Sequence, residues 1–323
     1  MNQPKKISLV FSVFNEKETL PALIHRVNQI IATLPFHFEL IFIDDGSIDG
    51  SDQVIRGFSG HATPNVKIRL FSLSRNFGHE AAMIAGIDHA SGDAVICMDA
   101  DLQHPPEMIP EMIARFGEGN HIVTMIRSKN EGVSKRSAWF SRLFYRLINK
   151  TSAIRLQENA SDFFLISQQV ADILRNDFRE RKRFLRGIIQ TIGFPAVSLT
   201  YTAPARAAGK SKYSLFKLTT LSLNAITSFS KAPLYLGVWF GFFFALLSVI
   251  LSLYSLWIYF FGVTPPSGYT TIILFLSISF SILFFLVGII GIYVGYLFDE
   301  QKKRPIYIIK KTDSSENNPT TQI

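Results

Sequence analysis

Two carboxylates one residue apart, Asp99 and Asp101, follow the apolar run Ala94-Val-Ile-Cys-Met98 and precede Gln103 and His104. If the chain bends after the first, both face one point. With Gln103 they then form an oxygen donor set suited to a hard divalent cation, Mg²⁺ or Mn²⁺, whose remaining positions would go to a diphosphate. A second pair, Asp44 and Asp45, ends another apolar run. Like charges gathered in a cleft are costly unless a cation or hydrogen-bond donors offset them. A helix cap ahead of Pro105-Pro106 would explain Asp101 but not Asp99.

The elements that must position these groups are legible from periodicity. Apolar runs at 7–14, 38–43, 66–73, 94–98 and 121–126 read as strands. Segments 20–34, 51–58, 79–90 and 106–116 carry helical spacing. This alternation predicts an α/β fold with a mostly parallel, helix-covered sheet, in which ligands sit at the carboxyl ends of the strands. Those ends read Phe14-Asn-Glu16, Asp44-Asp-Gly-Ser47, Ser74-Arg-Asn-Phe-Gly78, Asp99-Ala-Asp-Leu-Gln-His104 and Arg127. The glycine-rich phosphate loops of dinucleotide-binding and P-loop proteins are absent, as is any zinc-type spacing of His and Cys.

Charge is distributed as unevenly as the motifs. The chain has 323 residues with 33 basic and 25 acidic side chains, yet residues 232–298 hold none of either sign. A turn-forming cluster at 262–268 divides that gap into stretches 234–261 and 269–297. As helices each reaches roughly 42 Å, enough to cross a hydrocarbon core of ~30 Å. Tyr235, Trp239, Trp257, Tyr259, Tyr269, Tyr293 and Tyr296 lie toward the span ends, where amphipathic rings favour the interface. Lys210, Lys212, Lys217 and Lys231 precede the spans, Lys302, Lys303, Arg304, Lys310 and Lys311 follow them, and the connecting loop has no charge. The positive-inside bias therefore predicts a multi-pass protein of the inner (cytoplasmic) membrane, with both termini and residues 1–231 cytosolic. Lys5-Lys6 and the short apolar run after them read as the start of a strand rather than a secretory leader. The single Cys97 agrees with a reducing compartment.

Within the cytosolic part, residues 1–126 carry 9 basic and 15 acidic side chains, whereas residues 127–231 carry 19 and 6. The acidic half suits a cation, the basic half an anionic lipid surface or a phosphorylated ligand. Because the membrane segments account for the basic bias, no nucleic-acid partner is expected. Segments 134–150 and 214–230 read as basic amphipathic helices for the membrane interface. Gly288, Gly291 and Gly295 on the second span would permit close helix contact, and a homo-oligomer is expected.

Taken together, the strand ends resemble those of the family 2 glycosyltransferases of the GT-A fold, within them the polyisoprenyl-phosphate glycosyltransferases, among which are dolichol-phosphate mannose synthases and bactoprenol glucosyltransferases. The segments Glu180-Arg-Lys-Arg-Phe-Leu-Arg-Gly187, Arg206-Ala-Ala-Gly-Lys-Ser-Lys-Tyr213, Ile226-Thr-Ser-Phe-Ser230 and Gly295-Tyr-Leu-Phe-Asp-Glu-Gln-Lys-Lys-Arg-Pro305 match as well, in order. The resemblance implies inverting transfer of a hexose, with UDP-glucose the favoured donor, to undecaprenyl or another polyprenyl phosphate. It places Phe14, Glu16, Asp44, Asp45 and Arg127 at the nucleotide-sugar. Asp99, Asp101 and Gln103 would hold the metal, and Arg206, Lys210, Lys212 and Tyr213 the acceptor or diphosphate. Asp162 would lie near the reacting sugar, as a base or as an orienting group. The organisation implied is a GT-A domain over 1–205, a basic juxtamembrane segment over 206–231, two spans within 232–298 and a cytosolic tail over 299–323.

Ser12, Phe14 and Phe164 depart from the family's Pro, Tyr and Arg, and Phe164 leaves the donor's identity open. Two other classes share some features. A processive polysaccharide synthase would carry a Gln-x-x-Arg-Trp element, and none of the three tryptophans follows an Arg. A non-catalytic two-span partner would not be expected to keep Asp44, Asp99 and Asp101.

Overall fold

The computed structural model describes residues 5–59, 65–128, 157, 160–180, 183–202, 232–261 and 268–314. They fall into two compact units.

The first unit is built on one eight-stranded sheet. In chain order its elements are β1 (Lys6–Val13), α1 (Leu20–Ile31), β2 (His37–Asp44), α2 (Ser51–Ser59), β3 (Val66–Leu73), α3 (His79–His89) and β4 (Ala94–Asp99). A 3₁₀ turn (Pro106–Met108) then leads into α4 (Ile109–Gly117), followed by β5 (Ile122–Ser128), β6 (Ala160–Ser167), α5 (Gln168–Asn176), α6 (Leu185–Thr191) and β7 (Ala196–Thr202). The sheet order is β7-β5-β6-β4-β1-β2-β3-β8, where β8 is Ile309–Ser314. β1 to β4 are mutually parallel, as the alternation predicts.

Central strands covered on both faces must be apolar along their whole length, and β1, β2 and β4 are buried almost throughout. On one face Leu9, Phe11, Phe42, Ile96 and Met98 pack with Leu23 and Val27 of α1 and Ile109 and Met112 of α4. On the other face α3 lies so close to β1 that a Cβ at Gly86 would stand 2.1 Å from Val10 Cγ1. Only glycine fits there.

Three strands were not foreseen from periodicity. β6 runs antiparallel to both β4 and β5, with Cys97 opposite Phe164, and β5 pairs parallel with β7. The direction of β6 matters for the site. Its beginning, not its end, lies at the carboxyl end of β4, so the ladder continues to bring Asp162 toward Asp99. The third is β8, within the segment expected as a tail, which pairs antiparallel with β3. Tyr307, just before it, donates from Oη to Asp88 Oδ2 of α3 at 2.8 Å, and Arg179 holds the same carboxylate with both of its terminal nitrogens.

The second unit contains the two helices that fill the charge-free gap, α7 (Ala232–Phe261) and α8 (Tyr269–Gln301). Among the described residues one stretch, Ile278–Gln301 of α8, is long and apolar enough to cross a membrane, and none of it is buried inside the protein. Trp239, Trp257, Phe284 and Leu297 are each at least 65% exposed. The interfacial segments expected at 134–150 and 214–230 lie outside the described residues.

Candidate active site

The loops after β1, β2 and β3 are held together largely by their own hydrogen bonds. Asn15 adopts a left-handed backbone (φ 57°), which turns the chain sharply after β1. Its N–H donates to Ser47 Oγ at 2.9 Å, and its Oδ1 accepts from the Ile48 N–H at 3.0 Å. Asp44 Oδ1 accepts from the Ser47 N–H at 2.9 Å. Glu16 Oε2 accepts from Thr19 Oγ1, and its own N–H donates to Ser51 Oγ.

Asp45 turns inward and is 1% exposed. Its two oxygens accept the N–H groups of Phe77 (2.7 Å) and Gly78 (2.9 Å). Burial raises its pKa despite those two donors. Both oxygens are thus engaged in fixing the entry to α3, and Asp45 is placed to shape the pocket rather than to face a ligand. Gly46 between the loops has φ 73°, and a Cβ there would fall 2.7 Å from the Arg75 carbonyl carbon. By contrast, Phe14 is 42% exposed and Ile48 92%, which leaves two apolar side chains open beside Glu16 and Asp44.

The next rim segment holds the carboxylate motif. Leu102 has φ 62°, a conformation that costs a branched residue energy and that clusters at functional sites. His104 fixes the turn: its Nδ1 accepts the Asp99 N–H at 2.9 Å, and its ring stacks on Phe163 at 5.2 Å. Burial lowers the His104 pKa and keeps the ring neutral as a structural acceptor. Asp101 Oδ1 accepts the Gln103 N–H at 3.0 Å. Gln103 itself departs from expectation. Its Oε1, expected to face a metal, accepts a hydrogen bond from Arg127 Nη2, and that bond orients the amide.

Three residues not singled out from the sequence complete the site. His79, at the start of α3, stands between two carboxylates: Nδ1 is 3.3 Å from Asp99 Oδ1, and Nε2 is 3.6 Å from Asp162 Oδ2. Nδ1 also lies 3.1 Å from Ser12 Oγ. Burial alone would discharge the imidazole, but Asp99 and Asp162 outweigh it and raise its pKa to about 9. Burial and the neighbouring Asp162 lift Glu80 to about 7. Arg186 of α6 donates from Nη2 to Asp162 Oδ2 at 3.1 Å. Burial works against the Asp162 carboxylate, yet Arg186 and His79 hold its pKa down to about 2. His79 directly follows the Ser74–Gly78 strand end, and Arg186 lies in the matched segment 180–187, so proximity to a motif was the available signal. Phe164 is a core side chain, 1% exposed.

Asp99, Asp101 and Asp162 are therefore gathered on one rim with Arg127 and Gln103 beside them, while Glu16 and Asp44 end the neighbouring strands. Arg206, Lys210, Lys212 and Tyr213 lie outside the described residues. Among the described residues no group of three His, Cys, Asp or Glu side chains is arranged to hold a metal ion. A Mg²⁺-type site needs less, since one or two carboxylates plus substrate phosphates suffice. Asp99 and Asp101 meet that condition, and Asp99 Oδ1 is buried without a hydrogen-bond partner.

Comparison with known proteins gives the family. Residues 8–174 match the model of glycosyl transferase family 2. The chain is 32% identical to the uncharacterized glycosyltransferase YkcC of Bacillus subtilis, over 98% of this chain and 97% of that one. It is 37% identical to the SfII prophage-derived bactoprenol glucosyl transferase of Shigella flexneri, over 97% of this chain and 100% of the relative. A solved glucosyl-3-phosphoglycerate synthase from Mycobacterium tuberculosis is similar at 19% identity and a TM-score of 0.46, covering 69% of this chain and 78% of that one. The chain belongs to glycosyl transferase family 2 and is a glycosyltransferase, related along nearly its whole length to the bactoprenol glucosyl transferases.

Proposed function

We propose that this enzyme transfers a hexose, glucose first among the candidates, from a UDP-sugar to undecaprenyl phosphate or a similar polyprenyl phosphate. The observation that carries the proposal is the extent of the match to bactoprenol glucosyl transferase, which takes in the C-terminal helices as well as the sheet. In this reading α7 and α8 form a two-span hairpin, with the sheet domain and both termini on the cytosolic face. The basic segments before and after the hairpin meet anionic lipid.

A phosphate oxygen of the acceptor attacks C1 of the sugar from the side opposite the diphosphate. The new C1–O bond forms as the bond to the diphosphate breaks, and the nucleoside diphosphate leaves with the electron pair, so the anomeric configuration inverts. Phe14, Glu16 and Asp44 bind the nucleoside. Asp99 and Asp101 would hold Mg²⁺ or Mn²⁺, which when bound supplies Lewis-acid stabilisation of the departing diphosphate. Arg127, turned toward Gln103, adds a fixed positive charge on the same rim, and Arg206, Lys210, Lys212 and Tyr213 take the acceptor phosphate.

The low pKa of Asp162, held down by Arg186 and His79, favours an orienting role over that of a base. A carboxylate with a pKa near 2 is a poor proton acceptor. A phosphate monoester with a second pKa of about 6 needs none at neutral pH. Asp162 therefore orients the sugar hydroxyls. The test is transfer of labelled sugar from a panel of UDP- and GDP-sugars to undecaprenyl phosphate by the full chain. Product is expected with UDP-glucose and is expected to be lost in Asp99→Ala. A wild type inert with every donor would overturn the proposal.

A further inference from the structure

The segment 180–187 has no place in the reaction as derived so far, yet one of its side chains reaches the rim. Arg186 makes two separate bonds to β6. Nη1 donates to the Ala160 carbonyl at 3.0 Å, and Nη2 donates to Asp162 Oδ2 at 3.1 Å. Ala160 and Asp162 are two residues apart on a strand, so the planar fork grips the backbone and the side chain on one side of β6 at once. The helix that carries Arg186 is itself fixed: Leu185, Ile188 and Ile189 are buried, and Gln190 Nε2 donates to the Arg186 carbonyl at 2.9 Å.

The result is a carboxylate whose two oxygens differ. Oδ2 is bonded to Arg186 and lies 3.6 Å from His79 Nε2, whereas Oδ1 is buried with no hydrogen-bond partner. A buried oxygen left this way is costly unless something else satisfies it when the enzyme is loaded.

We infer that Arg186 is a positioning residue for sugar transfer: it locks Asp162 by one oxygen so that the other is presented to the donor's hexose hydroxyls. This rests on the proposed reaction. Arg186 touches no substrate in this account and acts through Asp162. Lysine at this position keeps the charge but offers a point donor in place of the fork, so it cannot hold the Ala160 carbonyl and Asp162 together.

The test compares wild type, Arg186→Lys, Asp162→Asn and the double variant as full chains in detergent, with UDP-glucose and undecaprenyl phosphate or the best donor of the panel. Thermal melting confirms folding. For Arg186→Lys the expectation is a wild-type melting curve, an unchanged KM for the donor and a kcat lowered about 10- to 100-fold. The double variant should be no slower than Asp162→Asn alone, because the arginine acts only through that carboxylate. A kcat within twofold of wild type in Arg186→Lys, or losses that multiply in the double variant, would overturn the inference while leaving the reaction standing. A wild type that transfers no sugar defeats the reaction first and this inference with it.

Discussion

The two sides of the rim answer to different partners. Beside β2 and β3, Asp45 is satisfied by the Phe77 and Gly78 N–H groups, Asp44 by Ser47, and Asn15 by Ser47 and Ile48. Beside β4 and β6, Asp99 Oδ1, Asp162 Oδ1, His79 Nε2 and Arg127 Nε are buried without hydrogen-bond partners. Native proteins rarely leave such groups bare. The first side is built in advance by the protein's own backbone, as the proposed nucleoside pocket needs to be. On the second, His79 and Arg186 offset the Asp99 and Asp162 carboxylates by ion pairing, while Asp99 Oδ1 and Asp162 Oδ1 keep hydrogen-bonding capacity that the proposed substrate would use.

The comparison can be broken at either side. The largest effect is expected from Asp99→Asn, which removes charge where the diphosphate departs: transfer should fall at least about 100-fold with the melting curve preserved. Unimpaired turnover would show that the Asp99 carboxylate is not needed by the departing diphosphate. Asp45→Ala should do the reverse, lowering stability by about 2 kcal/mol as two backbone donors lose their acceptor. Denaturant titration would show this, and an inactive variant of full stability would instead put Asp45 in contact with substrate.

A third contrast is in pH. Folded His79 has a pKa raised to about 9 from 6.5, so its contribution to stability is complete below about pH 6.5 and is lost as pH rises toward 9. Metal-free protein should therefore melt progressively lower across that window, and His79→Gln should flatten the slope. The smallest effect belongs to Tyr307→Phe, away from the rim. Loss of its bond to Asp88 should cost about 1 kcal/mol with kcat unchanged, as melting and initial rates would report.

The parallel half of the fold was readable because its strands are short runs rich in apolar residues that alternate with longer segments of helical spacing. The first five strands and four helices stand within a few residues of where periodicity puts them. β6 holds the apolar run Phe163-Phe-Leu-Ile166, yet a run by itself says nothing of strand direction, which is what carries Asp162 to Asp99. β8 has a single apolar residue in Ile309-Lys-Lys-Thr-Asp-Ser314; its pairing is a matter of backbone at the edge of β3. Asp45 shows another limit. A carboxylate beside Asp44 reads as a ligand from its type, and its inward turn is decided by the distant N–H groups of Phe77 and Gly78. His79 and Arg186 were missed for the same reason, since what makes them part of the site is a neighbour 83 residues on for the histidine and 24 residues back for the arginine.

The proposed reaction moves a hexose from a nucleotide onto a lipid phosphate at this rim. The most direct measurement is chromatography of the lipid product after membranes containing the full chain are given labelled UDP-glucose, undecaprenyl phosphate and Mg²⁺ or Mn²⁺. A β-linked lipid-phosphate glucose is expected from an α-linked donor, absent with Asp99→Ala. A product that retains the donor's anomeric configuration, or a labelled polymer in place of the single-sugar lipid, would contradict it.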